Sequence, residues 1–229
     1  MKCLILSALL LTPAPVVACE LALVLAVDVS GSVDRDEYAI QMQGLSTALR
    51  DGIVVDALID QSAQVTLVQW TGSSRQRQTI PWTPIRSYAD VATLAQAIDN
   101  DPRVWRNFST AIGEALSVSL ALFDQVPHCA RKVIDVSGDG VSNEGVSPAS
   151  QLAAVRAANV VVNALAIETD QTDLTAYFYE NLISGPGAFV VTAVGFEDYP
   201  AQIKRKLQRE TTKQLTGLDN GPQNPTDSQ

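Results

Sequence analysis

Asp28, Ser30 and Ser32 stand at alternate positions in Asp28-Val29-Ser30-Gly31-Ser32, directly after the apolar run Leu21-Ala22-Leu23-Val24-Leu25-Ala26-Val27. One carboxylate and two hydroxyls around a flexible glycine form a set of hard oxygen ligands. Such a set suits Mg²⁺ far better than zinc or copper. Seven apolar residues ending in a turn-forming polar cluster read as a buried strand that empties into a loop. A second run, Lys132 to Ser137, ends in Gly138-Asp139-Gly140 and delivers another carboxylate to a loop.

To act together, these groups need strands that end on a common edge, and the rest of the chain reads as such a frame. Asp34 to Arg50 predicts a helix with acids at its start and apolar residues at Tyr38, Ile40, Met42, Leu45 and Leu49. Gln64 to Trp70 predicts a strand, and the more polar Gln76 to Pro81 an edge strand hairpinning back from it. Ser87 to Asp99 predicts a helix capped by Ser87, with Asp90 three residues on. Thr110 to Phe123 is a further helix, followed by the Lys132 to Ser137 strand. Ser147 to Ala158 opens a helix on Ser147-Pro148, with proline at the first helical position. Val160 to Ile167 is a strand, Asp173 to Ile183 a helix, Ala188 to Ala193 a strand, and Phe196 to about Lys213 a basic amphipathic helix. This alternation predicts an α/β fold: a doubly wound, mostly parallel sheet with one antiparallel edge strand and helices on both faces. Ligands then bind at the carboxyl ends of the strands.

The 229 residues suffice for one domain with its own core. With 46% hydrophobic and 18% charged residues, the chain is globular in composition. Its 25 acids against 16 bases give −9, which disfavours a nucleic-acid or anionic-membrane partner. No apolar run after the first strand is long enough for a transmembrane segment. Met1-Lys2 is a short basic start, Cys3 to Leu11 is apolar, and Val16-Val17-Ala18 offers small residues for cleavage. Residues 1–18 therefore read as a secretory signal peptide, residues 19–214 as the domain, and residues 215–229 as a disordered tail.

The spacing D-x-S-x-S resembles the metal-ion-dependent adhesion site of von Willebrand factor A domains. Phe108-Ser109-Thr110-Ala111-Ile112-Gly113-Glu114-Ala115-Leu116 resembles that family's T-x-x-G-x-A-L segment. Thr110 falls on its metal-ligand threonine, and Ser109 is the fallback. Asp139 falls on the family's second aspartate. The resemblance implies a Rossmann-type fold over Cys19 to Arg209 and a Mg²⁺ (or Mn²⁺) held by Asp28, Ser30, Ser32, Thr110 and Asp139. It also implies one open position that a partner's Asp or Glu can enter. Leu23 to Asp34, Val133 to Gly145 and Gly185-Pro186-Gly187-Ala188-Phe189 further resemble an uncharacterised bacterial family of exported von Willebrand A-like proteins. Gly138 departs from the threonine that many A domains carry before D-G.

Cys19 lies nine residues before Asp28, and Cys129 ten before Asp139. If both acids serve one ion from neighbouring parallel strands, those strands run about 4.8 Å apart. Their opposite ends then bring the cysteines within disulfide reach, and an exported protein meets an oxidising compartment. Val16-Val17-Ala18-Cys19 also resembles a lipobox, which would make Cys19 a lipid anchor instead.

Other residues have plainer readings. Asp135 lies inside a buried strand and needs a partner there: Arg106, Arg131 or backbone donors. His128 precedes the strand that Asp139 follows, so it sits at the far end of the sheet, out of reach of Ser30 and Ser32 for a catalytic triad. Trp105, Arg106 and Phe108 should lie at the metal rim as candidate partner-binding anchors, although Trp105 could instead pack under its loop. Gly185-Pro186-Gly187 reads as a turn, and Lys204, Arg205, Lys206 and Arg209 as the solvated face of the last helix.

The leading expectation is a protein-binding module, periplasmic or secreted, with no catalysis of its own. Its rival is a Mg²⁺-dependent phosphatase of haloacid dehalogenase type, which also places an Asp after the first strand and a G-D-G late in the sheet. That chemistry needs a second aspartate where Ser30 stands, and a lysine ahead of Asp139 in a role no residue here fills. A purely structural domain would show no stabilisation by cations.

Overall fold

The computed structural model describes residues 18–169 and 173–212. The expected tail and the expected leader, but for Ala18, lie outside the described residues. Six strands form one sheet: β1 (Leu21–Asp28), β2 (Gln64–Trp70), β3 (Gln76–Pro84), β4 (Arg131–Gly138), β5 (Val160–Glu168) and β6 (Val190–Val194). Their order is β3-β2-β1-β4-β5-β6, and every pairing is parallel except the antiparallel β2/β3 edge. Among the described residues seven α-helices flank it: α1 (Arg35–Leu49), α2 (Gly52–Asp60), α3 (Tyr88–Asp99), α4 (Ile112–Leu122), α5 (Pro148–Ala157), α6 (Leu174–Asn181) and α7 (Tyr199–Thr211).

Every residue of β1 is buried, as a central parallel strand covered on both faces requires. Its side chains alternate between two cores. Leu21, Leu23, Leu25 and Val27 pack with Met42 and Leu45 of α1, Leu94 and Ile98 of α3, and Ile203 and Leu207 of α7. Ala22, Val24 and Ala26 pack with Ile112 and Leu116 of α4, Leu152 and Val155 of α5, and Phe178 of α6. Strand order reverses between β1 and β4, so the crevice at their carboxyl ends is the topological switch point of the sheet.

Several boundaries differ from the sequence expectation. α2 lies in a stretch to which the periodicity assigned no element; its mixed apolar face is short and opens on Asp51, whose carboxylate accepts from the Ile53 amide at 3.2 Å. β3 runs three residues further than expected, through Pro81, which an edge strand with bulged register tolerates. α4 begins at Ile112, leaving Thr110 in the preceding loop. The expected Ser87 cap holds, with its hydroxyl accepting from the Asp90 amide, and so does proline at the start of α5.

The largest correction concerns Asp135. Its partner is neither Arg106 nor Arg131 but Lys206, whose ammonium pairs with Asp135 and, at 2.6 Å, with Glu210. Strand alternation turns Asp135 toward α7, whereas Arg106 is exposed on the loop before α4. Arg131 instead donates to Gln61 Oε1 at 3.1 Å and to the Glu210 carbonyl at 2.9 Å. Lys206 is accordingly not on a solvated face. It shares the buried stripe Tyr199, Ile203, Lys206, Leu207, Glu210 at helical spacing. Lys204, Arg205 and Arg209 are exposed, as expected.

Candidate metal centre

β1 delivers Asp28 to the crevice, fully buried. The Ser30 amide donates to Asp28 Oδ1 at 2.7 Å, closing an Asx-type turn that folds the loop back over the strand end. That turn sets the Ser30 and Ser32 hydroxyls 3.2 Å apart, and Ser32 Oγ donates to Asp139 Oδ1 at 2.7 Å. Ser30, Thr110 and Asp139 are buried, while Ser32 lies at the surface.

Thr110 enters from a third segment. Its amide donates to Asn143 Oδ1 at 2.9 Å, and its carbonyl accepts from the amides of Asn143 (2.9 Å) and Glu144 (3.2 Å). These bonds tie it to the loop that follows β4, with its hydroxyl facing Gly140: an added Cβ there would stand 3.8 Å from Thr110 Oγ1. Ser109, the fallback, is exposed, and its carbonyl is taken by the Thr71 hydroxyl at 2.9 Å. Gly113 permits the approach of the 145–146 loop, since a Cβ there would fall 2.2 Å from the Val146 carbonyl. Gly138 does the same beside the centre, where a Cβ would lie 3.0 Å from Asp28 Oδ2 and 3.4 Å from the Trp70 ring. The departure at Gly138 thus leaves room around the Asp28 carboxylate.

The electrostatics of the two acids follow from their shared burial. Burial, and then the neighbouring Asp139 charge, push the Asp28 carboxyl up to about 8, against hydrogen bonds from Ser30 and the charge of Arg103. Burial also raises Asp139, opposed by the Ser32 hydrogen bond and by Arg103. Asp28 Oδ2 is buried with no hydrogen-bond partner, a costly arrangement for a carboxylate oxygen. A hard divalent cation would satisfy that oxygen and oppose both shifts. The donor set of carboxylate and hydroxyl oxygens fits such an ion.

Besides Asn143, one more residue of this site carried no sequence signal. Arg103, in the irregular segment between α3 and α4, sends Nη2 to the carbonyls of Val29 (3.0 Å) and Ser30 (2.8 Å), and Nη1 to that of Asp34 (3.3 Å). It grips the loop by its backbone and is a cation felt by both acids. Gln69 anchors the same segment, donating to Asp101 Oδ2 (2.8 Å) and the Pro102 carbonyl (3.0 Å) and accepting from the Val104 amide (2.9 Å).

The three expected rim residues do lie on this segment. The Phe108 carbonyl accepts from the Gly31 amide at 2.7 Å, and its ring is 38% exposed beneath the Arg75 guanidinium, 3.7 Å from the centroid. Trp105 is half-buried against the α1/α3 core, with Arg77 5.7 Å above its ring. Arg106 is exposed. At the other end of the sheet Cys19 and Cys129 form a disulfide, with exposed His128 beside it, far from the serines.

The fold is that of von Willebrand factor A-type domains, and solved structures share it. Proximal thread matrix protein 1 from the mussel byssus, with a zinc-occupied MIDAS motif, aligns with TM-score 0.62 and 20% identity over 86% of this chain and 47% of that one. A von Willebrand factor type A protein from Catenulispora acidiphila aligns with TM-score 0.59 and 20% identity over 84% and 42%. An aerotolerance-related membrane protein from Bacteroides fragilis aligns with TM-score 0.52 and 14% identity over 82% and 99%. The chain thus spans about half the length of the first two. Residues 18–215 match the family described as "Protein of unknown function (DUF1194)", and the chain belongs to it. No curated protein matches the sequence significantly.

Proposed function

We propose that this protein is an exported, metal-dependent protein-binding module. Asp28, Ser30, Ser32, Thr110 and Asp139 hold a Mg²⁺ or Mn²⁺ ion, and a partner's Asp or Glu completes its coordination. Residues 1–18 direct the chain to the periplasm or beyond, and residues 215–229 form a tail. The ion supplies an electrophilic site for an incoming carboxylate. The chain's own groups orient it: the Asx turn aims the serines, the Asn143 contacts fix Thr110, and Arg103 holds the loop.

The observation that carries this reading is the convergence of three chain segments on a buried pair of carboxylates, one with an oxygen that has no donor. Zinc in the corresponding motif of the mussel protein supports a divalent ion at such a site. Among the described residues, no helix is long and apolar enough to cross a membrane. Ser30 stands where a phosphatase of the rival class needs its acid, which favours binding over hydrolysis.

Thermal unfolding tests the reading. A ligand that binds only the folded state stabilises by mass action, about 2.7 kcal/mol at a hundredfold excess over Kd. Mg²⁺ or Mn²⁺ should raise the Tm, EDTA should reverse the shift, and Asp28→Ala should abolish it. A Tm indifferent to either ion at saturating concentration would overturn the proposal. Phosphate-ester turnover that disappears in Asp28→Asn would favour the enzyme instead.

A further inference from the structure

The rim of the candidate centre carries more chemistry than one metal-bound carboxylate uses. Arg75 lies over Phe108 and Arg77 over Trp105, while Arg106, between those two aromatics in sequence, is exposed. A guanidinium resting on an aromatic ring spends its flat face and keeps its N–H edge for a forked carboxylate contact. Among the described residues, none of these three arginines forms a salt bridge. The nearby acids are already engaged. Glu144, which feels the Arg75 charge, accepts from Ser73 Oγ at 2.7 Å; Asp34 and Glu37 close the capping box of α1. Positive charge is crowded here, for Arg106 helps depress the Arg103 guanidinium after the larger effect of burial.

We propose that Arg75, Arg77, Trp105, Arg106 and Phe108 form a docking shelf for a second acidic side chain of the partner. The partner is then an acidic protein segment with at least two carboxylates, one for the ion and one for the shelf. This rests on the metal-dependent binding reading. The hydrogen bond from Gly31 to the Phe108 carbonyl makes the shelf continuous with the metal loop. An extended segment sets alternate side chains on one face about 7 Å apart, so the spacing of two carboxylates along a partner strand decides whether it serves both places. With −9 overall, the chain repels acidic partners elsewhere, and attraction confined to this face orients the encounter. The same net charge disfavours a nucleic-acid polyanion.

The full chain is tested against short synthetic Gly/Ser peptides carrying one Glu, or two Glu at spacings of two to four residues, in Mg²⁺ and in EDTA. The second Glu should raise the Mg²⁺-dependent affinity about fivefold to tenfold, from a few exposed ion pairs. The triple variant Arg75→Gln, Arg77→Gln, Arg106→Gln should return it to the level of the single-Glu peptide. The Mg²⁺-induced Tm shift should remain, because these residues lie outside the ligand set. Equal affinity for the two peptide classes, an advantage that survives the triple substitution, or no retention of either while Mg²⁺ still raises the Tm would each overturn the shelf alone. Polyphosphate retained by the wild type in EDTA and lost in the variant would replace it with a polyanion site. Peptide retention indifferent to EDTA, or a Tm that Mg²⁺ does not move, would overturn the parent reading and the shelf with it.

Discussion

At the scale of single residues, Arg103 separates charge from position. Its guanidinium spans three carbonyls of the candidate metal loop with two nitrogens, a fork an ammonium does not offer. Arg103→Lys keeps the positive charge near Asp28 and Asp139 but loses the fork. Residues that orient metal ligands commonly contribute tenfold or more to affinity. Calorimetry should therefore show Mg²⁺ binding about tenfold weaker in Arg103→Lys, with the fold intact by circular dichroism; unchanged affinity would show that the loop holds itself. The five residues proposed as ligands could be picked out as candidates because each lies in a loop next to a strongly patterned strand or helix, or at its end. Arg103 and Asn143 were not, since irregular loops have no period and their backbone contacts arise only once distant segments meet.

At the scale of elements, α7 shows where periodicity was available but composition misled. Four basic residues among Lys204 to Arg209 look like a solvated face, yet the stripe from Tyr199 to Glu210 places Lys206 inward with Glu210 one turn on. Burial, then the neighbouring Asp135 charge, push Glu210 up to about 8, partly offset by Lys206. Removing Lys206 would leave Asp135 buried without its cation, so Lys206→Ala should cost about 3–5 kcal/mol in urea unfolding. The sign of the pH effect follows from the raised value. Folded Glu210 retains its proton where the unfolded chain, at 4.5, has lost it. Its contribution is full below the unfolded value and disappears as pH rises through about 8. The urea midpoint should fall as pH rises from about 4.5 to about 8, and Glu210→Gln should flatten that fall. A midpoint with the same pH dependence in Glu210→Gln would rule the group out. The strands, by contrast, were read closely, because buried parallel strands are continuous apolar runs that only their polar exits interrupt.

At the scale of the whole molecule, β1 and β4 are the two strands that flank the switch point, and distinct devices address their opposite ends. At the carboxyl end, the loop that follows Asp28 reaches Asp139 through Ser32; at the amino end, Cys19 and Cys129 are bonded with Cα atoms 4.5 Å apart. The cross-link closes a separation of 110 residues, for which the chain-entropy account gives an upper stabilisation of about 4.7 kcal/mol. An eight-residue strand is about 26 Å long, so the two devices should act independently. Cys129→Ser should then lower the unfolding free energy by several kcal/mol, up to about that limit, yet leave the Mg²⁺-induced Tm shift of the same size. A shift that vanishes with the disulfide would mean that the amino end of the sheet sets the geometry of the metal loop. Intact-mass measurement of protein purified from its native host adds the decisive chemistry. A mass two hydrogens below the reduced chain fits the bond, whereas a diacylglycerol adduct on Cys19 would show that the cysteine anchors the protein to lipid instead.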